Sequence, residues 1–312
     1  MIIDSERQVT DAVIDEMKRT PDARTKLLLE CLVRHLHAFV RESGLTEKEF
    51  DQALHYVAAL GQRTTESHNE TRLMAGSLGV STLVCLLNNG DHAAMESSAN
   101  LLGPFWRAES PRTENGGSLV RSSTPGTPLF FKGWVRDQQG NPIEEAEVDV
   151  WHASPVGLYE TQDPQQAEMN LRGKFTTGAD GSFGFRTVKP AGYPIPIDGP
   201  VGALLHAQKR HNFRPAHLHF LIYKPGYKSI ASQIYSDDDP VLETDSQFGV
   251  TRGLVKHFLA HEKQPAPAAD ITGAWYSLEH TFVVQAGESW LPTPPISKKT
   301  IERVKMVETR GR

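Results

Sequence analysis

The sequence predicts an α+β protein in which an all-helical domain, residues 1–100, precedes an antiparallel β-sandwich, residues 101–312. Three observations carry this. In roughly the first 90 positions, apolar residues recur every three or four places, the period of an amphipathic helix. From about residue 120 to residue 286 they gather instead into short β-branched and aromatic runs separated by Gly, Pro, Asn and Asp. These runs do not alternate with helical segments, so nothing indicates βαβ units or a parallel sheet.

Ala12, Val13 and Met17 mark a first helix; Leu28, Leu29, Leu32, Leu36, Phe39 and Val40 mark a second, with Gly44 as its stop signal. Thr46-Glu47-Lys48-Glu49 has the capping-box pattern, in which the Thr46 hydroxyl accepts from the Glu49 amide while the Glu49 carboxylate reaches back. A third helix continues through Phe50, Leu54, Val57 and Leu60. Leu73 to Leu87 reads as one further helix, apolar on most sides and suited to burial between elements or against a partner chain. The texture changes near Asn88-Asn89-Gly90. Strands are then expected at Leu129 to Val135, Ala146 to Trp151, Gly173 to Thr176, Ser182 to Thr187, Ala216 to Tyr223, Ile230 to Tyr235 and Glu279 to Val284. Gly140-Asn141-Pro142 and Ala179-Asp180-Gly181 are turn signals between them. The closing segment, Ser297 to Arg312, mixes Lys and Arg with Glu and reads as a solvated surface tail.

A chain of 312 residues can bury a large core without staples. Its two cysteines, Cys31 and Cys85, lie in apolar, helix-like runs and read as small buried hydrophobes, so a cytoplasmic, reducing environment is expected. The opening MIIDSERQVTDAVIDEM has no apolar segment of signal-peptide length, and no run approaches the roughly 20 apolar residues of a membrane span. A net charge of -5 without a dense basic cluster offers nothing to attract nucleic acid.

The most informative stretch is Arg214-Pro215-Ala216-His217-Leu218-His219-Phe220. Side chains alternate along a strand, so His217 and His219 share one face while Leu218 and Phe220 take the other. Two neutral imidazoles on one rigid element are half a metal site, although a pair of half-exposed strand histidines gives the same pattern. Tyr159 and Tyr193 sit in Pro- and Gly-bearing loops, Ser154-Pro155-Val156-Gly157-Leu158-Tyr159 and Pro190-Ala191-Gly192-Tyr193-Pro194-Ile195-Pro196. Rigid loops on a β scaffold are where functional side chains collect, yet each tyrosine taken singly reads first as an amphipathic packing residue. Three further groups carry less. Asp237-Asp238-Asp239 reads as a solvated acidic turn rather than a cation site; His35 and His37 face different directions on a helix; His152 has no assigned role.

Leu101 to Phe105, Glu147 to His152 through Tyr159, Leu171 to Phe175, Lys189 to Pro196 and Arg214 to Phe220 together resemble the intradiol ring-cleaving dioxygenases, in order and over roughly residues 20 to 285. Within that family, Asn170-Leu171-Arg172-Gly173-Lys174-Phe175 and Ser154-Pro155-Val156-Gly157 are most similar to the hydroxyquinol-cleaving branch. The resemblance implies a β-sandwich catalytic domain behind a helical linker domain that pairs two subunits as a homodimer, with room for a bound lipid. It implies one non-haem Fe(III) held by Tyr159, Tyr193, His217 and His219. A hard ferric ion suits hard phenolate oxygens, with imidazoles completing the set.

By the same resemblance, Tyr193 leaves the metal and takes a substrate proton, Arg214 stabilises charge building on the substrate, and Gln233 assists ring ketonisation. The substrate wall is expected from the helix Leu78 to Leu86, from Gly103, Pro104 and Phe105, and from Ile195, Pro196 and Val250. The reaction implied is cleavage of hydroxyquinol by O2 between adjacent hydroxylated carbons to 3-hydroxy-cis,cis-muconate (maleylacetate), with catechol cleavage to cis,cis-muconate as the alternative. No acidic residue lies between Leu78 and Leu86 to receive a third hydroxyl. A reading of another class remains, a non-catalytic β-sandwich binding module with the same side chains as core.

Overall fold

The computed structural model describes residues 2–89 and 99–298. The chain forms two compact units, Met1–Ala58 and Ala59–Arg312. In the first, α1 (Gln8–Glu16) packs on α2 (Ala23–Ser43). Thr10 joins them, its Oγ1 lying 2.9 Å from His37 Nδ1 and accepting from Arg41 Nη2 at 2.9 Å. Asp22 caps α2 by accepting from Thr25 N at 2.7 Å, and Gly44 ends it in the left-handed conformation that glycine adopts without strain. The expected capping box opens α3 (Glu47–Arg63), with Glu49 N donating to Thr46 Oγ1 at 3.3 Å and Thr46 N to Glu49 Oε2 at 2.9 Å. Leu28, Leu32, Leu36 and Phe39 of α2, with Phe50, Leu54 and Val57 of α3, are each more than half exposed. Cys31 is also exposed, which corrects the expectation of burial; Cys85 is half-buried, and burial pushes its thiol up to about 11.

In the second unit the single helix expected over Leu73 to Leu87 is two, α4 (Glu70–Ser77) and α5 (Val80–Asn89), meeting at 75°. Gly79, at φ +71°, makes the corner, a conformation the apolar periodicity on either side does not reveal. No single described helix is long and apolar enough to cross a membrane.

The strands are β1 (Pro128–Asp137), β2 (Glu147–Trp151), β3 (Arg172–Thr176), β4 (Ser182–Val188), β5 (Tyr193–Pro194), β6 (Phe213–Arg214), β7 (His217–Tyr223), β8 (Ile230–Ser236), β9 (Val255–Lys256), β10 (Leu259–His261) and β11 (Trp275–Val284). One sheet runs β10-β11-β1-β4 and the other β3-β2-β7-β8-β9, while β5 and β6 form a separate two-stranded ribbon. Between the sheets Phe131 and Phe282 meet Phe220, with ring centroids 5.1 and 4.8 Å away. Val148, Val150, Phe175, Leu218 and Ile222 fill the same buried layer. At about 25 cal/mol per Å2 of apolar surface removed from water, this layer is the main stabilising element of the unit.

The sandwich is mixed rather than purely antiparallel. β1 pairs with β11 in parallel from Leu129↔Tyr276 to Asp137↔Val284, and β8 pairs with β9 in parallel. Turn residues report only local hairpins, whereas β1 and β11 are the first and last strands and meet through the whole fold. Neither turn signal makes a hairpin within one sheet: Gly140-Asn141-Pro142 carries the chain from β1 to β2, and Ala179-Asp180-Gly181 from β3 to β4, each a crossing between sheets.

A helix not anticipated, α6 (Pro200–Ala207), begins with Pro at its first position and no cap from its own N-terminal residue. Glu70, buried on α4, supplies one, accepting from Val201 N at 2.9 Å while His68 Nε2 stands 2.5 Å from its other oxygen. Ser297 and Lys298 bond to Glu66; the rest of the basic tail, from residue 299, and Gly90 of the Asn-Asn-Gly signal lie outside the described residues.

Asp149, buried on β2, accepts from Trp106 Nε1 at 3.0 Å through Oδ2, while its Oδ1 has no hydrogen-bond partner among the described residues. Burial pushes its carboxyl up to about 6. Between about pH 4, where an unfolded Asp ionises, and pH 6 the folded chain keeps a proton that the unfolded chain has lost, so stability falls as pH rises through that window. Two pKa units correspond to about 2.7 kcal/mol. Urea midpoints of Asp149→Asn should therefore lose most of a decline that the native chain shows between pH 4.5 and 7; identical slopes would show that the carboxyl is not the group responsible.

Candidate metal centre

β7 reads HLHFLIY and is buried along all but its last residue. Its even-numbered side chains enter the sandwich core, and His217, His219 and Leu221 are left on the sheet's other face. There His217 Nε2 and His219 Nε2 come within 3.0 Å. His217 Nδ1 donates to Pro215 O at 2.6 Å, because a carbonyl can only accept; this fixes the tautomer and leaves a lone pair on Nε2. His219 stacks on Trp151, its register partner on β2, at 4.7 Å and 9°.

Two loops bring the phenols to the same place. After β2 the chain turns at Gly157, φ +78°, which lies against Tyr193 so closely that a Cβ there would stand 3.2 Å from the tyrosine's own. That turn delivers Tyr159, whose ring stacks on Phe105 with centroids 4.3 Å apart. Tyr193 pairs with Arg214 in the β5–β6 ribbon. Tyr159 Oη donates to Tyr193 Oη at 3.3 Å, and the Tyr193 ring lies 5.5 Å from that of His217. Thus two phenol oxygens and two imidazole nitrogens, separated by up to 60 residues of chain, converge on one buried point.

Among the described residues no group of three or more His, Cys, Asp or Glu is placed to hold a metal ion. The donors here are phenolic instead, which is the set a hard trivalent cation favours. Burial holds the His217 imidazole down at about 3 and that of His219 well below its ordinary value, so both offer neutral nitrogens at pH 7. Burial likewise pushes both phenols up, so their ionised forms need a cation between them. The residues present fit such an ion.

A fixed positive charge stands beside the four donors. Arg214 is buried, with Nη1 3.2 Å from His217 Nε2 and Nη2 donating to Gln233 Oε1 at 3.0 Å and to Tyr235 Oη at 2.8 Å. Asp245 holds it through Nε to Oδ1 at 3.0 Å and Nη2 to Oδ2 at 3.1 Å, the fork that suits Arg rather than Lys. Burial acts to raise the Asp245 carboxyl, but the Arg214 charge and hydrogen bonds bring it below its ordinary value. Gln233 is anchored in turn, Nε2 donating to Leu101 O at 2.6 Å. Behind Tyr159 lies a second buried cation, Arg172, whose Nε donates to Glu160 at 2.7 Å and whose guanidinium stands 6.0 Å from the tyrosine ring centre. Arg107 shares Glu160 at 3.0 Å.

Of the expected pocket wall, Gly103 and Pro104 line a cleft of about 540 Å3, whereas Leu78, Phe105, Ile195, Pro196 and Val250 do not. Leu78 is half exposed at the end of α4; Ile195 and Pro196 are buried beyond Tyr193, and Phe105 is committed to Tyr159. Asp245, Tyr235 and Arg172 were missed by sequence reading. Tyr235 was within reach, two places after Gln233 on the same strand face, but Asp245 lies 31 residues from Arg214 with no local pattern to join them. The remaining candidates are structural. His152 bridges Ala153 O and Thr187 Oγ1; Asp237 pairs with His257, Asp238 with Lys189, and Asp239 accepts from Ala216 N.

The family described as "Catechol dioxygenase N terminus" matches residues 22–96, and that described as "Dioxygenase" matches residues 101–278. A hydroxyquinol 1,2-dioxygenase of a Rhizobium species is 36% identical over 89% of this chain and 95% of its own length. A catechol 1,2-dioxygenase of Candida albicans is 35% identical over 85% of this chain and 87% of its own. Among solved structures, hydroxyquinol 1,2-dioxygenase from Pseudomonas putida superposes with a TM-score of 0.80 at 35% identity, over 90% of this chain and 99% of that one.

Proposed function

The chain belongs to the intradiol ring-cleaving dioxygenases, and from that premise we propose that it opens hydroxyquinol, benzene-1,2,4-triol, with O2 between the two adjacent hydroxylated carbons to give 3-hydroxy-cis,cis-muconate, the enol of maleylacetate. The observation that supports it most is the meeting of two buried phenols with two neutral imidazoles beside a fixed guanidinium. Tyr159, Tyr193, His217 and His219 would hold one ferric ion. Bound there, such an ion would supply a Lewis acid that lowers the electron density of the aromatic diol and favours its attack by O2.

The chain's own residues do the rest. Tyr193 Oη, ionised while it holds the ion, would take one of the two protons lost by the adjacent hydroxyls, and the other would pass to hydroxide from solvent. Arg214 faces the charge that builds as the ring is attacked, and it needs no reorganisation because Asp245 and Tyr235 already hold it. Gln233, tied between Leu101 O and Arg214, keeps that guanidinium in line. Phe105 and Trp151 back Tyr159 and His219 and keep water from behind the donors. Both atoms of O2 end in the diacid, so no external reductant is required.

The proposal extends to organisation: residues 1–100 as a helical dimerisation and linker domain and 101–312 as the catalytic domain. The exposed apolar residues of α2 and α3 suit a homodimer contact that could also seat a lipid chain, and the two free thiols suit the cytoplasm.

Oxygen uptake by the iron-loaded chain tests the reading. One O2 consumed per triol, faster with hydroxyquinol than with catechol, is expected, together with a broad visible tyrosinate-to-iron absorption. Faster turnover of catechol would select the alternative substrate; a colourless protein that binds no iron would leave a binding module.

A further inference from the structure

The cleft that begins at Gly103, beside the imidazole of His219, also takes in Gly76 and Gln247. Leu102, Pro104 and Val80 give the cleft an apolar wall, while Arg72, Asn88, Asn89 and Asn100 are polar members of its lining. Gln247 is only 4% exposed, and its amide is held at one end. Nε2 donates to Ser77 Oγ at 2.7 Å and to Ser246 O at 3.4 Å. The Ser246 carbonyl can only accept, so the amide cannot be turned round, and Oε1 is the free end. Among the described residues Oε1 receives no hydrogen bond. It occupies the space that a side chain at residue 76 would fill: a Cβ built on Gly76 would overlap it. The missing side chain at 76 and the long amide at 247 are thus complementary, and together they set in the wall of the cleft a hydrogen-bond acceptor that no group among the described residues satisfies.

A ring chelated through two adjacent oxygens has few ways to use such an acceptor. Catechol has no further hydroxyl to offer it. A 1,2,4-trihydroxy ring has one, still protonated, on the side away from the chelating pair. We infer that Gln247 Oε1 accepts a hydrogen bond from this third hydroxyl, making Gln247, with the room left by Gly76, the residue that selects a triol over a diol; this rests on the substrate reading above. A site built to bond a substrate hydroxyl rejects the analogue that lacks it, because its buried polar group is then left unpaired.

The test compares kcat/KM for benzene-1,2,4-triol with that for catechol in the iron-loaded full chain. The ratio is expected above one in the native protein and about tenfold lower in Gln247→Met, which keeps the length and removes the acceptor. Gln247→Glu, which still accepts, should keep the ratio well above that of the Met variant. Anaerobic titration followed by the visible absorption should show triol binding about tenfold weaker in Gln247→Met, with iron content and the absorption of the substrate-free protein unchanged. Should the Met variant fail to retain iron, Gln247→Leu reads the same ratio. A native ratio above one that survives loss of the amide overturns this inference alone. A native ratio below one overturns the substrate reading, and this inference with it.

Discussion

Tyr159→Phe, loaded with iron under the same conditions as the native chain, is expected to lose most of its visible absorption, to hold well under one iron per chain, and to turn over at least about a thousandfold more slowly, the cost typical of removing a group essential to the chemical step. The change is small in volume, since Phe keeps the stacking on Phe105 and removes only Oη. It is large in charge. A ferric ion held there would bring three positive charges into a site already flanked by Arg214 and Arg172, and the two tyrosines would be the groups able to ionise against it. With one phenolate gone, that excess positive charge stays buried, so affinity falls even though both imidazoles remain. Tyr235→Phe is the control. Tyr235 is as deeply buried, its ring is 5.1 Å from that of His217, and its hydroxyl accepts from Arg214, but it is not one of the four donors. Metal analysis and visible spectra of the two variants should therefore diverge, with Tyr235→Phe coloured. Equal loss of colour in both would mean that the site fails through packing rather than through a missing ligand.

How much of this the sequence disclosed depended on how local the signal was. His217 and His219 were legible as a same-face pair because period two is a property of adjacent residues, and β7 forms where expected. Which tyrosines would join them was legible only through family resemblance, since nothing in the composition of two Pro- and Gly-bearing loops says that they fold toward the same strand. The capping box at Thr46 was found for the same local reason as the histidines. By contrast, the parallel pairing of β1 with β11 joins residues about 150 positions apart and leaves no trace in either strand's pattern. Gly79 fits an unbroken helical periodicity and becomes a corner only once α4 and α5 have different surfaces to cover. The packing of Gln247 against Gly76 leaves no trace in the sequence for a related reason: it joins an amide on one loop to an absent side chain on a helix about 170 residues earlier.

Arg214→Ala is expected to lower kcat by about a hundredfold to a thousandfold, the loss typical of removing one preorganised charge or donor from where charge develops, with a smaller effect on KM. The guanidinium is buried, and every bond that holds it comes from the protein, so its position is set before substrate arrives. Interactions of that kind strengthen as charge builds and therefore act on the chemical step more than on binding. The same truncation has a second consequence. It leaves the Asp245 carboxylate buried without its cation, a loss typically worth about 3–5 kcal/mol of stability, and Asp245 also accepts from Gly249 N and so anchors the loop that carries Gln247. A fall in turnover could therefore arise from a loosened loop as well as from a missing charge. The double variant Arg214→Ala with Asp245→Asn separates the two, because the neutral amide no longer demands a cation. If thermal stability and iron content recover while kcat stays low, Arg214 acts on the reacting ring. If kcat recovers along with stability, the guanidinium is a positioning group for the 245–249 loop, and the charge that favours oxygen attack has to be sought elsewhere, with Arg172 behind Tyr159 as the next buried cation to replace.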